Sequence, residues 1–110
     1  MQRCADCQRL QFPPDAVCDA CNSVRLVFEE VSGRGTVHSY SQTISGARHP
    51  YFQSIAPYLI GHVELVEQDG LLMCSNFPGA QLEDLYVGAP VEVEYQEIGQ
   101  HAVIPQFRLC

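Results

Sequence analysis

Four of the six cysteines lie in two pairs whose spacing is typical of metal ligands. Cys4 and Cys7 form the first pair, Cys18 and Cys21 form the second, and ten residues separate the two pairs. Two residues between paired cysteines allow a tight turn that points both sulfurs at one centre, and the longer connection lets the second pair face the first. Four thiolates in a tetrahedral array leave no open coordination position. The spacing therefore predicts one structural Zn²⁺ ion on these four cysteines.

Other uses of such pairs fit this sequence less well. Rubredoxin-like iron sites usually place glycine after the second cysteine of each pair, and here Gln8 and Asn22 stand at those positions. This weakens the iron alternative and leaves it open. A thioredoxin-type redox pair requires a strand followed by a helix, and neither pair opens a helical pattern. No basic segment followed by an apolar stretch precedes Cys4, so we expect no signal peptide, reduced cysteines and a cytoplasmic protein.

The remaining two cysteines lack a clear chemical context. Cys74 ends the apolar run that begins at Leu71, which predicts a buried and inert thiol. No histidine or aspartate near it forms an evident catalytic dyad, and Cys110 is the last residue of the sequence. Without a nucleophile paired with a base, an open metal position or a cofactor motif, we expect no catalytic residue and no independent enzyme activity.

Charge narrows the classes of partner. The sequence has thirteen acidic residues against six basic ones, all of them arginine, and a formal net charge of −7. Binding to a phosphate backbone depends on clustered Lys and Arg, so nucleic acid is a disfavoured partner. Apolar residues make up 46% of the chain, enough for a hydrophobic core. We also expect no membrane span, because no stretch of about eighteen apolar residues occurs.

The sequence pattern after the cysteine pairs predicts mainly β-strands as the elements that position these residues. Residues 1–31 form the predicted zinc ribbon, and period-two alternation dominates residues 32–110. We expect five strands in that second part, with one short helix between the third and the fourth. The strands are expected at 36–44, 59–67, 71–77, 91–98 and 102–109, and the helix at 79–85. This order predicts a mostly β protein, a rubredoxin-like zinc ribbon followed by a five-stranded OB-fold barrel.

Two residues inside the predicted strands carry positional information. Gly61 in the second strand would relieve crowding where a small barrel bends, because glycine allows close backbone approach. Pro105 in the last strand cannot donate a ladder hydrogen bond, so it places that strand at an edge or at a bulge.

One long connection, residues 45–57, is unusually apolar for a loop. It contains His49, Tyr51, Phe52 and Ile55. Such side chains can fold back over the mouth of the barrel, or they can meet a partner or line a ligand passage. Both interpretations stay open, and these four residues are the candidates for a partner or substrate-passage loop.

The ordered set of motifs resembles the acyl-CoA-associated zinc-ribbon/OB-fold family, whose members are companions of thiolase-like enzymes. The resemblance covers nearly the whole chain and rests on the segments CADCQRLQFPP (4–14), CDAC (18–21), GRGTVHSY (33–40), HPYF (49–52), PYLIGHVEL (57–65) and LEDLYVGAPVEV (82–93). The ribbon motif by itself is ambiguous, whereas the ordered set is fairly specific.

The resemblance implies an accessory domain without catalytic groups. Such a domain supports a thiolase-like partner in a heterotetramer or larger assembly and helps shape the passage for the CoA thioester. A retro-aldolase of steroid side-chain degradation is the implied reaction. Many family members have a helix before the first cysteine, so we expect this chain to be the tail domain of a longer polypeptide. Contact with CoA phosphates is possible through Arg9, Arg25, Arg34 or Arg48.

The fold class also suggests a second function, the binding of single-stranded nucleic acid. Many OB folds bind single-stranded nucleic acid through aromatic side chains in a basic groove. The aromatic candidates here are Tyr40, Tyr51, Phe52, Tyr58 and Phe77. The net acidity and the absence of lysine make this the weaker hypothesis.

Overall fold

A computed structural model describes residues 1–44, Pro50 and residues 57–110. Three short strands come first: β1 (Gln2–Cys4), β2 (Leu10–Gln11) and β3 (Leu26–Phe28). Five further strands and a 3-10 helix (Leu82–Asp84) follow: β4 (Arg34–Thr43), β5 (Tyr58–Leu65), β6 (Leu72–Asn76), β7 (Pro90–Ile98) and β8 (Ala102–Leu109). The mostly β class, the ribbon and the five-stranded barrel are confirmed, and the expected short helix is the 3-10 turn. The boundary at residue 31 stays a prediction.

The first three strands form a small antiparallel sheet in the order β2-β1-β3. Cys4 in β1 lies opposite Leu26 in β3, and Gln2 lies opposite Gln11 in β2. A sheet with strands of two or three residues buries little apolar surface, so it requires another source of stability.

The other five strands form an antiparallel sheet in the order β6-β5-β4-β7-β8. The two terminal strands approach each other, and the Ser75 hydroxyl of β6 donates a 3.3 Å hydrogen bond to the Pro105 carbonyl of β8. The sheet is therefore a nearly closed barrel. Pro105 lies in a terminal strand, as its missing N–H predicts.

The barrel is filled by side chains that alternate inward along its strands. Val37, Val63, Val91 and Phe107 are at most 1% exposed and belong to one continuous cluster. Gly61 of β5 lies opposite Tyr40 of β4, next to the register shift between Val37 and Ser39, and a Cβ atom added there would lie 2.1 Å from the Ser39 carbonyl oxygen. The predicted relief of crowding at Gly61 agrees with this close contact to the backbone of β4.

The prediction of a buried Cys74 is wrong. Cys74 is exposed, whereas the next residue, Ser75, is buried. Cys74 lies opposite His62 of β5, which is also exposed, so both side chains face outward. An unbroken apolar run does not show which side chains face inward and which face outward. In β6 even Leu72 and Met73 are only half-buried.

A side-chain amide of the barrel and apolar side chains of the ribbon join the two parts. Gln68, in the turn after β5, accepts a 2.9 Å hydrogen bond from the backbone N–H of Leu10 and donates a 2.8 Å bond to its carbonyl. The side chain of Leu10 is 2% exposed and packs in the barrel cluster. A residue of the ribbon thus completes the core of the barrel.

Candidate metal centre

The four predicted ligands meet at one end of the ribbon. All four sulfur atoms lie within 4.8 Å of one another. The Sγ–Sγ distances are 3.6 Å from Cys4 to Cys21 and 3.6 Å from Cys7 to Cys18. A Zn–S bond of about 2.3 Å in a tetrahedron separates the sulfurs by about 3.8 Å. The arrangement therefore fits a tetrahedral zinc ion, and the distances are far longer than a disulfide bond of about 2.05 Å.

Each cysteine pair lies in a tight turn closed by the residue after its second cysteine. The N–H of Gln8 donates to the Cys4 carbonyl, and the N–H of Asn22 donates to the Cys18 carbonyl, both over 2.9 Å. Both donor residues have positive φ, 68° at Gln8 and 62° at Asn22. Rubredoxin-like iron sites usually have glycine at these two positions, because a positive φ favours a residue without a Cβ atom. The ribbon thus makes the same turn with residues that are strained there.

Backbone N–H groups aimed at sulfur prepare the site for thiolates. The N–H of Cys7 lies 3.4 Å from the Cys4 sulfur, and the N–H of Ala20 lies 3.4 Å from the Cys18 sulfur. The hydrogen bond from Cys7 is the largest cause that lowers the pKa of Cys4 to about 6. A thiolate therefore forms readily at Cys4 near neutral pH.

The exposed member of each pair behaves differently. The backbone N–H of Ser23 favours the thiolate of Cys21, but the neighbouring Cys4 sulfur and partial desolvation of the Cys21 sulfur outweigh it and raise the pKa of Cys21 to about 12. The backbone N–H of Arg9 likewise favours the Cys7 thiolate, yet partial desolvation of the Cys7 sulfur and the neighbouring Cys18 sulfur leave the pKa of Cys7 raised. Four clustered thiolates repel one another, and a divalent cation removes that cost.

Asp6 links the two turns outside the ligand set. Its carboxylate accepts a hydrogen bond from the Ser23 hydroxyl and forms a 2.7 Å ion pair with Arg25. All three residues are exposed or partly exposed, so this contact contributes orientation more than energy.

Sequence reasoning missed two glutamines inside the ribbon. Gln2 and Gln11 are 7% and 5% exposed, and the amide of Gln11 donates to that of Gln2 over 2.6 Å. The side chain of Gln2 also donates a hydrogen bond to the Asp15 carbonyl and accepts one from the Asp15 N–H. The side chain of Gln11 accepts a hydrogen bond from the N–H of Asp19. These bonds hold the connection that carries Cys18 into place. Nothing in the sequence indicates that these two glutamines are buried, because strands of two or three residues are too short to show an alternating pattern.

The predicted loop residues cannot be placed, whereas three of the four arginines considered for phosphate contact can. His49, Tyr51, Phe52 and Ile55 lie outside the described residues, as does Arg48. Of the other arginines considered for phosphate contact, Arg9 pairs with Asp19 at 3.9 Å and Arg25 with Asp6 at 2.7 Å. Arg34 forms no salt bridge within residues 1–44, 50 and 57–110.

No helix in the part of the chain that the structure describes has the length and apolar character to span a membrane.

Comparison with protein families gives two adjacent matches. Residues 1–26 match the rubredoxin-like zinc ribbon domain of ChsH2, and residues 28–96 match the C-terminal OB-fold domain of ChsH2. The match to the ribbon model, together with the sulfur geometry, identifies the cofactor as structural zinc.

Individual relatives agree with these matches. A probable enoyl-CoA hydratase alpha subunit from Thermomonospora curvata is 33% identical over 108 residues, which is 98% of this chain and 32% of that protein. A DUF35 domain-containing scaffold protein from Methanocaldococcus jannaschii is 32% identical over 87% of this chain and 66% of its own length. The chain therefore spans about a third of the first relative and about two thirds of the second.

A solved structure extends the similarity to three dimensions. A chain of the Ltp2-ChsH2(DUF35) aldolase superposes with a TM-score of 0.84 at 33% sequence identity, over 98% of this chain and 81% of that one. The ribbon and the barrel thus occur together in that structure.

Proposed function

Because this chain belongs to the ChsH2 family, in which a rubredoxin-like zinc ribbon precedes an OB-fold domain, we propose that it is a non-catalytic accessory component of an enzyme acting on acyl-CoA thioesters. The observation that carries the proposal is the structural match to an Ltp2-ChsH2 aldolase over almost the whole chain. The scaffold name of the archaeal relative supports the same role.

The proposed partner is a thiolase-like protein. That partner would hold the catalytic groups, and the two chains would form a heterotetramer or larger assembly. Retro-aldol cleavage of a steroid-derived acyl-CoA is the proposed reaction. The cytoplasm is the proposed location, since a reducing compartment keeps the four cysteines free to bind zinc.

The exposed apolar side chains are candidates for the contact with this partner. Phe28, Val24 and Tyr95 are more than 70% exposed, as is Ile44. Exposed apolar and aromatic side chains of this kind often mark surfaces that a partner covers. Ile44 directly precedes the loop that carries His49, Tyr51, Phe52 and Ile55, for which we propose a role in the partner contact or the substrate passage.

Electrostatics supports a protein partner over a nucleic acid. Arg3, Arg9, Arg25 and Arg108 all form ion pairs with acidic residues of the chain itself. Arginines already paired in this way offer little to a phosphate backbone, and the net charge of −7 opposes one.

The test is affinity purification of the chain from its native host at low salt, with mass spectrometry of bound proteins and a zinc assay. We expect a thiolase-like protein and about one zinc ion per chain. Recovery of nucleic acid, or of the chain alone with turnover of its own, would overturn the proposal.

Variants of exposed apolar residues locate the contact in the recovered complex. Phe28→Ser should weaken the complex about tenfold or more if this side chain lies in the interface, because buried aromatic anchors dominate such contacts. Gln100→Ser is the control, since Gln100 is an exposed polar residue in the turn between β7 and β8 and is not one of the apolar candidates. Both variants should keep the zinc content and the melting temperature.

A further inference from the structure

Three neighbouring strands carry a histidine or a cysteine at the same level of the outer surface of the barrel. His62 of β5 lies directly opposite Ser39 of β4 on one side and Cys74 of β6 on the other. His38, His62 and Cys74 are all exposed. Neighbouring strands lie about 4.8 Å apart, so opposite side chains on one face are within reach of each other. The fold therefore places two imidazoles and one thiol on one patch of surface.

The register shift in β4 explains why His38 joins this patch. The pairing of β4 with β5 moves from Val37 opposite Val63 to Ser39 opposite His62, so His38 is an extra residue in β4. Such a β-bulge sets two residues of one strand against one residue of its partner and changes the direction of a side chain. Val37 is 1% exposed and faces the core, whereas His38 is exposed. His38 and Ser39 therefore lie side by side, opposite His62.

The Ser39 hydroxyl contacts both imidazoles at the same ring atom. Its Oγ lies 3.4 Å from Nδ1 of His38 and 3.4 Å from Nδ1 of His62. One hydroxyl can donate to one Nδ1 and accept from the other, which leaves Nε2 of each ring available. Histidines that bind metals are usually oriented by a hydrogen bond at the ring nitrogen that does not bind the ion. Ser39 is placed to provide that bond for both rings.

The donor set and the charge around it suit a divalent transition-metal ion. Imidazole and thiolate together are ligands that Zn²⁺ prefers. The net charge of −7 favours the approach of a cation. None of the outward positions that flank the patch on β4, β5 and β6 is basic; they are Thr36, Ser41, Ile60, Glu64, Leu72 and Asn76.

This patch is less assembled than the ribbon site. Of the residues that the structure describes, only the four ribbon cysteines form a group of three or more metal-binding side chains whose donor atoms already lie within 4.8 Å of one another. The exposed side chains of the patch must rotate to other rotamers to close on an ion, which costs side-chain entropy. Three protein ligands also leave one coordination position to water. Binding there should therefore be weaker than in the ribbon, and exchangeable.

We propose that His38, His62 and Cys74 bind a second Zn²⁺ ion, through Nε2 of each imidazole and the Cys74 sulfur. Cys74 binds as the thiolate, and its proton passes to solvent. Ser39 is the positioning residue that orients both rings. This site lies on the barrel, is separate from the ribbon zinc and does not depend on the proposed function.

The test adds Zn²⁺ to the full chain with the ribbon zinc already bound. Equilibrium dialysis should show a second, saturable zinc ion per chain, and the NMR signals of the His38 and His62 rings should change in proportion to it. Saturation at the ribbon zinc alone would overturn the inference. A second ion that leaves both ring signals unchanged would also overturn it, because it would show adventitious binding to surface carboxylates.

Variants separate the proposed ligands from other surface groups. Cys74→Ser and His62→Ala should each weaken the second ion about tenfold or more, and Ser39→Ala about tenfold, since outer partners of metal ligands contribute to affinity by this amount. His101→Ala makes the matched change at an exposed turn residue and should leave the second ion unaffected. The ribbon zinc and the melting temperature without added Zn²⁺ should stay unchanged in all four variants. Equal affinities of Cys74→Ser, His62→Ala and His101→Ala for the second ion would refute the site.

Discussion

The ribbon and the barrel keep their folds by different means. Within residues 1–28 the buried apolar side chains are Cys4, Leu10 and Cys18, and Leu10 packs in the core of the barrel. Two of the three are therefore metal ligands. The barrel, in contrast, has a continuous cluster built around Val37 and Phe107 on strands of five to ten residues.

The two parts therefore draw their stability from different sources. The ribbon buries too little apolar surface to fold by hydrophobic contacts, so coordination replaces the missing core. The barrel buries enough apolar surface without a metal. The two regions should therefore respond in opposite ways to loss of zinc and to loss of core volume.

Zinc removal should have the largest effect, and it should be confined to the ribbon. Structural zinc contributes roughly 10–16 kcal/mol in small zinc-binding peptides. A chelator, or Cys18→Ser, should abolish amide-exchange protection in residues 1–28 while β4 to β8 keep theirs. Hydrogen exchange with mass spectrometry measures this, and Cys74→Ser is the control that retains about one zinc per chain. Simultaneous loss of protection in the barrel would show that the two regions unfold as one unit.

Phe107→Ala should destabilise the barrel and leave the zinc site of the ribbon intact. Removing an aromatic ring from a packed core costs about 3–5 kcal/mol, and Phe107 is 1% exposed. Urea unfolding should show this loss for the barrel, and the zinc content should stay at about one per chain. Val103→Ala changes the same strand at a side chain that is 57% exposed, and its effect should stay within about 0.5 kcal/mol. Equal effects of the two variants would contradict the assigned core.

Gln68→Leu tests the contact that joins the two regions. It removes both hydrogen bonds to the backbone of Leu10 and leaves that backbone unsatisfied, which should cost about 1–3 kcal/mol of docking energy. Faster exchange of the Leu10 N–H with unchanged zinc content is the expected result. Gln100→Leu in an exposed turn provides the matched control. An unchanged exchange rate would mean that apolar packing, such as that of Leu10 and Met1 on the barrel core, holds the ribbon to the barrel without the Gln68 bonds.

Gln8→Gly should have the smallest effect, and it should be stabilising. Gln8 has a φ of 68°, a conformation that costs a side-chain-bearing residue about 1 kcal/mol and glycine almost nothing. Zinc affinity, measured by competition with a chelator, should rise by up to about fivefold. Asn22→Gly should produce a smaller gain, since asparagine tolerates this region better. Weaker zinc binding by Gln8→Gly would show that its side-chain bond to the Ala5 carbonyl matters more than the strain.

Sequence reasoning succeeded where the determining interactions are local. The spacing of Cys4 and Cys7 sets a turn within a few residues, so the metal chemistry can be derived from the motif alone. Alternation along a strand is also local, and the predicted bounds of the last strand, 102–109, equal those of β8. Gly61 and Pro105 were interpreted correctly because each reports on its own backbone.

Contacts that depend on strand register follow from the tertiary structure and not from the local sequence. A register shift between Val37 and Ser39 changes which residues of β4 face outward. Separately, the pairing of β6 with β5 places Cys74 opposite the exposed His62, on the outside of the barrel. The bond between Gln68 and Leu10 joins residues 58 positions apart. A one-residue change of register exchanges the inner and outer faces of a strand, so composition and spacing determine the elements while the pairing of strands determines their faces.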